Sequence, residues 1–301
     1  MYDLVIIGAG SAGLPAAMYA SRYALRNLVI GEMPGGALAT SHRVENWPGT
    51  LAEGGKSIMD RFAEHAVSSG SEILTDRVVA VEGAKGAFTV TTSSGKSVET
   101  KYVLLATGNK YRHLGAPGEA EFLGSGVSYC ATCDGNFFKG REVVVVGGGD
   151  SAAVESLYLA ELCSKVTILV RKDAFKAEGV WVKKIAEHAN IEVRFNSEVA
   201  EVRGDFMGVK NVLLKDGSVI PCEGFFVAIG SDPDASLITP LGVATDEEGC
   251  VIVDKTQATN VPGIYAAGDV TTNSNKFKQT IMSAAEGCLA AHSIHEEIMR
   301  S

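Results

Sequence analysis

A strand, a glycine-rich turn and a helix recur in this chain, once at its start and once near its middle. That repeat constrains the fold more than any other feature. Residues 4–7 form a continuous apolar run ending in Gly8-Ala9-Gly10-Ser11-Ala12-Gly13, and a helical stretch over 14–25 follows. Residues 143–146 form a second run, ending in Gly147-Gly148-Gly149-Asp150-Ser151-Ala152, with a helical stretch over 153–163. Each helix leads to a short apolar strand, 28–30 and 166–170. Val and Ile runs without alternation suit strands buried on both faces, as in parallel sheets covered by helices. The expected fold class is α/β.

Each half continues alike. Residues 88–92 and 98–105 flank a Ser-Gly turn and end in Ala106-Thr107-Gly108; residues 209–214 and 219–229 flank Asp216-Gly217, a hairpin signal. Residues 249–253 and 263–269 read as further strand and loop of the first domain, and 279–299 as a terminal helix. The simplest architecture is one dinucleotide-binding domain, 1–112 and 241–301, split by insertion of another, 113–240. The crossings fall near Arg112 and Pro240.

At 301 residues there is room for two cores, and 46% hydrophobic with 21% charged residues is the balance of a globular protein. A formal charge of −9 and the lack of a long basic run argue against nucleic acid, whose binding rests on phosphate neutralisation. No apolar stretch reaches the ~20 residues of a membrane span. The N-terminus, lacking a positive leader, reads as a first strand, so a cytoplasmic protein is expected.

Both turns are phosphate cradles by pattern. In Gly8-x-Gly10-x-x-Gly13 the first glycine permits the tight turn and the second lets backbone approach a pyrophosphate. The third lets helix pack close to strand. Pro15 is tolerable because early helical amides have no intrahelical partner. The second cradle is Gly147-x-Gly149-x-x-Ala152. A tight βα turn without ligand is the alternative for either, and two copies in matching contexts weigh against it. Glu32 follows Gly13 by 19 residues, where a carboxylate accepts from a ribose hydroxyl; Arg171 follows Ala152 by 19, with Lys172 and Lys176 beyond it. Basic residues there suit a 2′-phosphate. The first cradle thus reads as holding an adenosine dinucleotide without that phosphate, and the second as holding NADPH. A solvated strand end is the bland alternative for Arg171 and Lys172.

Just before the second cradle lies Cys130-Ala131-Thr132-Cys133-Asp134-Gly135. Cysteines at this spacing can close a small disulfide ring, and a thiol near a helix N-terminus is activated. Asp134 is a candidate acid, because reducing a disulfide consumes two protons with two electrons. The rival is half a zinc site, but structural zinc takes four ligands. Cys163, Cys222, Cys250 and Cys288 are scattered singly, as small buried apolar residues would be. His42, His65, His113, His188, His292 and His295 show no metal spacing, the last two being expected on a solvated helix face. No metal is expected, and no nucleophile elbow suggests a hydrolase.

With these residues in hand, the chain resembles the low-molecular-weight thioredoxin reductases over essentially its whole length. The matching stretches are Gly8 to Gly13, Gly35-Gly36-Ala37-Leu38, Val44-Glu45-Asn46-Trp47-Pro48-Gly49, Ala106-Thr107-Gly108, the Cys130 to Gly135 string, Gly147 to Ala152, and Ala266-Ala267-Gly268-Asp269. The resemblance implies two Rossmann-like dinucleotide-binding domains of three-layer ββα type, the second inserted into the first. It implies a homodimer, with FAD in the discontinuous domain and NADPH plus dithiol in the inserted one. Cys133 would face the flavin, Cys130 would attack the disulfide of thioredoxin or a thioredoxin-like protein, and Asp134 would be the acid. Gly36, Asn46, Thr107, Gly268, Asp269, Lys278 and Gln279 would join Gly8, Gly10, Gly13 and Glu32 around FAD. Asp150 and Ser151 would join Gly147, Gly149 and Ala152 around NADPH. Rotation of the inserted domain would present dithiol and nicotinamide to the flavin in turn.

Some positions depart from the family pattern. Val170-Arg171-Lys172 and Lys176 stand where His-Arg-Arg and Arg are usual, Val154 replaces a Glu, Ala37 a Gln, and Lys278 an Arg. Lysine is a point charge where arginine offers a bidentate fork. Other readings therefore stay open: ferredoxin, a deazaflavin or NADH as donor, a dithiol oxidase using oxygen, or a non-catalytic redox sensor on the same fold.

Overall fold

The computed structural model describes all residues except His42, Arg43, Asn275, Lys276, Ser301 and the side chain of Ala235. The chain divides into two compact units, one of Met1–Lys110 with Asp232–Ser301 and one of Tyr111–Ser231. The second crossing thus precedes the expected Pro240. Leu237 and Ile238 already belong to the first unit's core, beside Val5, Ile7 and Val251.

The first unit runs through β1 (Tyr2–Ile7), α1 (Gly13–Arg22), β2 (Asn27–Ile30), α2 (Gly55–Ser68), β3 (Glu72–Leu74), β4 (Val78–Ala84), β5 (Ala87–Thr92) and β6 (Ser97–Leu105). After β7 (Asn109–Tyr111), the second unit contains β8 (Val127–Ser128), α3 (Ala131–Asp134), β9 (Glu142–Val146), α4 (Asp150–Leu162), β10 (Lys165–Leu169), α5 (Gly179–Glu187) and β11 (Ile191–Arg194). It continues with β12 (Val199–Asp205), β13 (Gly208–Leu214), β14 (Val219–Pro221) and β15 (Gly224–Val227). Then β16 (Ser231–Pro233), α6 (Ala235–Ile238), β17 (Ile264–Ala266) and α7 (Thr280–Arg300) complete the chain.

In the first unit β3, β2, β1 and β6 are parallel neighbours in that order. Strand β6 is long enough for two partners on one edge. Its start pairs antiparallel with β5, from Phe88↔Thr100 to Thr91↔Ser97, and its end pairs parallel with β17. Alternation along β1 then sorts the core into two layers. Leu4 and Ile6 pack with Leu14 of α1, Met59 of α2 and Ile294 of α7, whereas Val5 and Ile7 pack with Val81, Phe88 and Val90 of the β4–β5 hairpin. Helices, parallel sheet and hairpin form the three layers. Each such large side chain, fully buried, contributes about 1.5–3 kcal/mol.

The second unit repeats the plan. Its parallel sheet has the order β11-β10-β9-β15-β8, and β12-β13-β14 form a separate antiparallel sheet. Val143, Val145 and Ile168 face Leu159 of α4 and Ile185 of α5, while Val144, Val146 and Leu169 face Val202, Val212 and Leu214. The single strand expected over 219–229 is two. β14 pairs with β13, and β15 joins the parallel sheet beside β9. Pro221, with no N–H to donate, stands at the break. The strand expected over 249–253 is reduced to isolated bridges at Val251, with Thr245 and Thr271.

Candidate active site

Strands β1, β2, β6 and β17 are parallel, so their carboxyl ends lie on one edge, where open α/β sheets take ligands. Gly8 follows β1, Glu32 follows β2, Thr107 follows β6 and Gly268 follows β17. Gly8 has φ +119°, and a Cβ there would stand 2.0 Å from the Ala106 carbonyl oxygen. A Cβ on Gly13 would stand 1.9 Å from the Gly8 oxygen, so α1 starts hard against the turn. Gly10 and Gly36 face each other, the nearest atom to a Gly10 Cβ being Gly36 Cα at 3.7 Å. Asn46 Nδ2 donates to Gln279 Oε1 at 2.9 Å, joining two expected ligand residues across the sequence. Glu32 is exposed just past the end of β2.

The chemistry of this edge fits FAD. Gly10 leaves backbone open to a pyrophosphate. The Thr107 hydroxyl is buried without a hydrogen-bond partner among the described residues. Burial pushes the Asp269 carboxyl up, opposed by a 3.0 Å bond from Ser283 Oγ and by Lys278. These are polar groups suited to hydroxyls and ring atoms. A residue that sequence reading missed holds the loop in place: buried Glu286 on α7 accepts from Gly268 N at 2.8 Å, Thr271 Oγ1 at 3.2 Å and Ser274 Oγ at 2.5 Å.

The second unit has the same edge. Gly147 follows β9 with φ +152°, and a Cβ there would stand 2.1 Å from the Ala228 oxygen. Gly149 is open: a Cβ there would meet nothing within 4 Å. It caps α4, which starts at Asp150. The segment after β10 folds over this turn. Lys176 N donates to Gly148 O at 2.6 Å, and Glu178 N donates to Asp150 Oδ1 at 2.7 Å. Arg171, Lys172, Lys176 and Ser151 are exposed, and Ala152 is buried. Open amides at a helix N-terminus with exposed cations beside them fit a nicotinamide dinucleotide carrying an extra phosphate.

The dithiol follows β8 on the same parallel sheet as the second cradle. Cys130 caps α3, and Cys130 and Cys133 form a disulfide with their Cα atoms 5.3 Å apart. Cys130 is half-buried and Cys133 exposed. Ser128, two residues upstream and buried, is a second residue the sequence did not flag. Its Oγ donates to Asp134 Oδ2 at 2.6 Å and accepts from Cys130 N at 3.0 Å. Tyr129 donates to buried Glu119 at 2.7 Å, which also accepts from Leu114 N and Gly115 N. Burial and Glu119 together push the Tyr129 phenol up. Below the dithiol, Glu155 Oε2 on α4 accepts from Ala131 N at 3.3 Å, and burial pushes its carboxyl up to about 7.

Cys163, Cys222 and Cys250 are buried and Cys288 half-buried. Burial pushes Cys163 and Cys288 up to about 11 and Cys222 to about 12, far from thiolate at neutral pH. Asp246, Glu248 and Cys250 gather ligand-type atoms within 4.8 Å, but Asp246 Oδ1 already accepts from the Glu248 and Cys250 amides. His292 is exposed, yet His295 is not on the solvated face expected of it. Its ring stacks on Tyr23 at 4.4 Å. His42 lies outside the described residues. No described helix is long and apolar enough to cross a membrane.

Comparison with known proteins agrees with this geometry. Residues 2–287 match the family described as pyridine nucleotide-disulphide oxidoreductase. The chain is 39% identical to the thioredoxin reductase of Listeria monocytogenes, covering 99% of this chain and 94% of that protein. It is also 40% identical to a protein named glucosaminate ammonia-lyase from Pseudomonas fluorescens, over 96% of this chain and 93% of that one. The crystal structure of Lactococcus lactis thioredoxin reductase in its FR conformation superposes with a TM-score of 0.94 at 35% identity, over 100% of both chains. The chain therefore belongs to the pyridine nucleotide-disulphide oxidoreductase family and, within it, to the low-molecular-weight thioredoxin reductases, flavoproteins that use FAD and NADPH.

Proposed function

We propose that this protein carries electrons from NADPH through FAD to the Cys130–Cys133 disulfide, and from the resulting dithiol to the disulfide of thioredoxin or a thioredoxin-like protein. The observation that carries this reading is the closed Cys130–Cys133 disulfide on the sheet that also bears the second cradle. When bound, FAD supplies the two-electron exchange between nicotinamide and disulfide. The chain's own residues do the rest. Gly8, Gly10, Gly13, Gly36, Asn46, Thr107, Asp269 and Lys278 seat the flavin nucleotide, with Glu32 on its ribose. Gly147, Gly149, Asp150 and Ser151 present backbone and helix start to the second pyrophosphate, and Arg171, Lys172 and Lys176 face the 2′-phosphate. Cys133 takes the electron pair and Cys130 attacks the partner disulfide. A mixed disulfide forms and Cys133 then resolves it. Asp134, held by Ser128, supplies a proton to the leaving thiolate.

The working protein is a homodimer in the cytoplasm, where a reducing environment keeps such a pair in turnover instead of as a permanent crosslink. The similarity to a protein named for ammonia-lyase chemistry makes the dithiol the feature to test. Anaerobic mixing with NADPH should bleach the flavin, and adding oxidised thioredoxin should restore it. A flavin that bleaches but is not reoxidised by any thioredoxin overturns the substrate; one that bleaches only with reduced ferredoxin or a deazaflavin overturns the donor.

A further inference from the structure

We propose that Glu155 is a positioning residue of the dithiol. Its carboxyl group holds the first amide of α3, and its charge state sets how readily Cys130 and Cys133 exist as thiolates. This rests on reading Cys130–Cys133 as the electron-carrying pair.

Helix α3 is only four residues long, Ala131–Asp134. So short a helix leaves its first amides without intrahelical acceptors. Glu155 Oε2 takes the Ala131 amide at 3.3 Å, and Ala131 is fully buried. The Ala131 nitrogen is bonded to the Cys130 carbonyl carbon, so the carboxyl group holds the backbone directly after that cysteine. It comes from α4, the helix that begins at the second cradle, and so ties the dithiol helix to a separate element.

The other ionisable groups on α3, the turn after it, α4 and the elements packed against α4 are Cys130, Cys133, Asp134, Lys139, Arg141, Glu142, Asp150, Tyr158, Glu161, Lys165, Lys183, Lys184 and Glu187. The influences on the Glu155 carboxyl are burial, which raises it to about 7, and the Ala131 N–H, which restrains that rise; no cation is among them. In the reduced protein a Cys130 thiolate and an ionised Glu155 would be like charges close together in a half-buried place. Each then holds the other's proton. With Glu155 neutral the thiolate forms readily; with Glu155 ionised it is held back. The thiolate is the species that attacks a disulfide, so a carboxyl that asks nothing of substrate or cofactor governs the nucleophile.

The test uses reduced holoenzyme and reads the pH dependence of iodoacetamide alkylation at Cys130, resolved by peptide mass spectrometry. Glu155→Gln keeps an acceptor for Ala131 N and removes the charge. Its alkylation midpoint should fall by roughly one pH unit, and its disulfide should become more oxidising because the reduced form is favoured. Glu155→Ala should show the same drop and, in addition, faster amide exchange at Ala131. A Glu155→Gln midpoint equal to wild type, with only Glu155→Ala altered, would reduce Glu155 to a structural prop and overturn the proposal. Should Glu155→Gln fail to retain flavin, the wild-type profile decides. Coupling spreads the titration beyond a single-proton curve and the spread persists in Asp134→Asn, whereas a simple one-proton curve sinks the idea. Failure of the underlying reading looks different, since Cys130→Ser would then keep thioredoxin turnover.

Discussion

Ser128 and Asp134 are joined hydroxyl to carboxylate at 2.6 Å, and the same hydroxyl accepts the Cys130 amide. One small side chain thus fixes both the nucleophile's backbone and the acid's orientation. Ser128→Ala should slow electron transfer from dithiol to thioredoxin by roughly tenfold, the weight of one oriented hydrogen bond of about 1.4 kcal/mol. Flavin reduction by NADPH should not change. Stopped-flow traces of the two half-reactions check this, and equal slowing of both would show general damage instead.

Cys130→Ser and Cys133→Ser should each leave flavin reduction largely intact and abolish thioredoxin turnover, because onward transfer needs both thiols in exchange. Wild-type turnover in Cys133→Ser would refute the assigned path.

Arg171, Lys172 and Lys176 are exposed, so charge-assisted bonds to a 2′-phosphate are partly screened. We expect NADPH over NADH by roughly ten- to a hundredfold in kcat/KM, with the preference eroding as salt rises. Arg171→Ala should weaken NADPH use and spare NADH. Equal rates with both cofactors would make these residues a solvated strand end.

Glu286 gathers the Gly268 amide and the Thr271 and Ser274 hydroxyls. Glu286→Ala would strand these donors at a cost of about 2–4 kcal/mol, lowering Tm and loosening the flavin. Release of FAD fluorescence at lower urea than wild type is the expected readout.

Glu155 also predicts a pH dependence of stability. Its carboxyl is raised from the ordinary 4.5 to about 7, so the native chain keeps a proton that the unfolded chain loses. Stability therefore falls as pH rises from about 4.5 to about 7, and the loss is complete above that window. Glu155→Gln should gain about 1–2 kcal/mol over wild type at pH 8 after discounting for residual solvent screening, and little near pH 4. Urea midpoints at both pH values measure it; a gain of the same size at both would remove the carboxyl from the explanation.

The layered plan was legible because its signal is local: apolar runs at 4–7 and 143–146, each closed by glycines, leave few alternatives to strand, turn and helix. Gly8 and Gly147 were readable for the same reason, since each stands where a Cβ meets a carbonyl. Pairings set by distant segments were not. Asn46 meets Gln279 across 233 positions, and Glu286 reaches Gly268 from a helix whose pattern reads as ordinary amphipathic surface. Ser128 and Glu155 carry no motif at all; their part comes from where β8 and α4 end up. The second crossing, expected near Pro240, carries no composition signal, whereas the packing of Leu237 and Ile238 into the first unit's core puts the division earlier in the chain.

The unequal burial of the six cysteines has a practical consequence at the bench. Cys163, Cys222 and Cys288 are held as un-ionised thiols by burial, and Cys250 is enclosed. A mild alkylating dye applied to the folded protein at neutral pH should therefore mark Cys130 and Cys133 alone, and only when they are reduced. The molecule comes with a built-in gauge of its oxidation state, readable from a single mass shift without mutating any other cysteine.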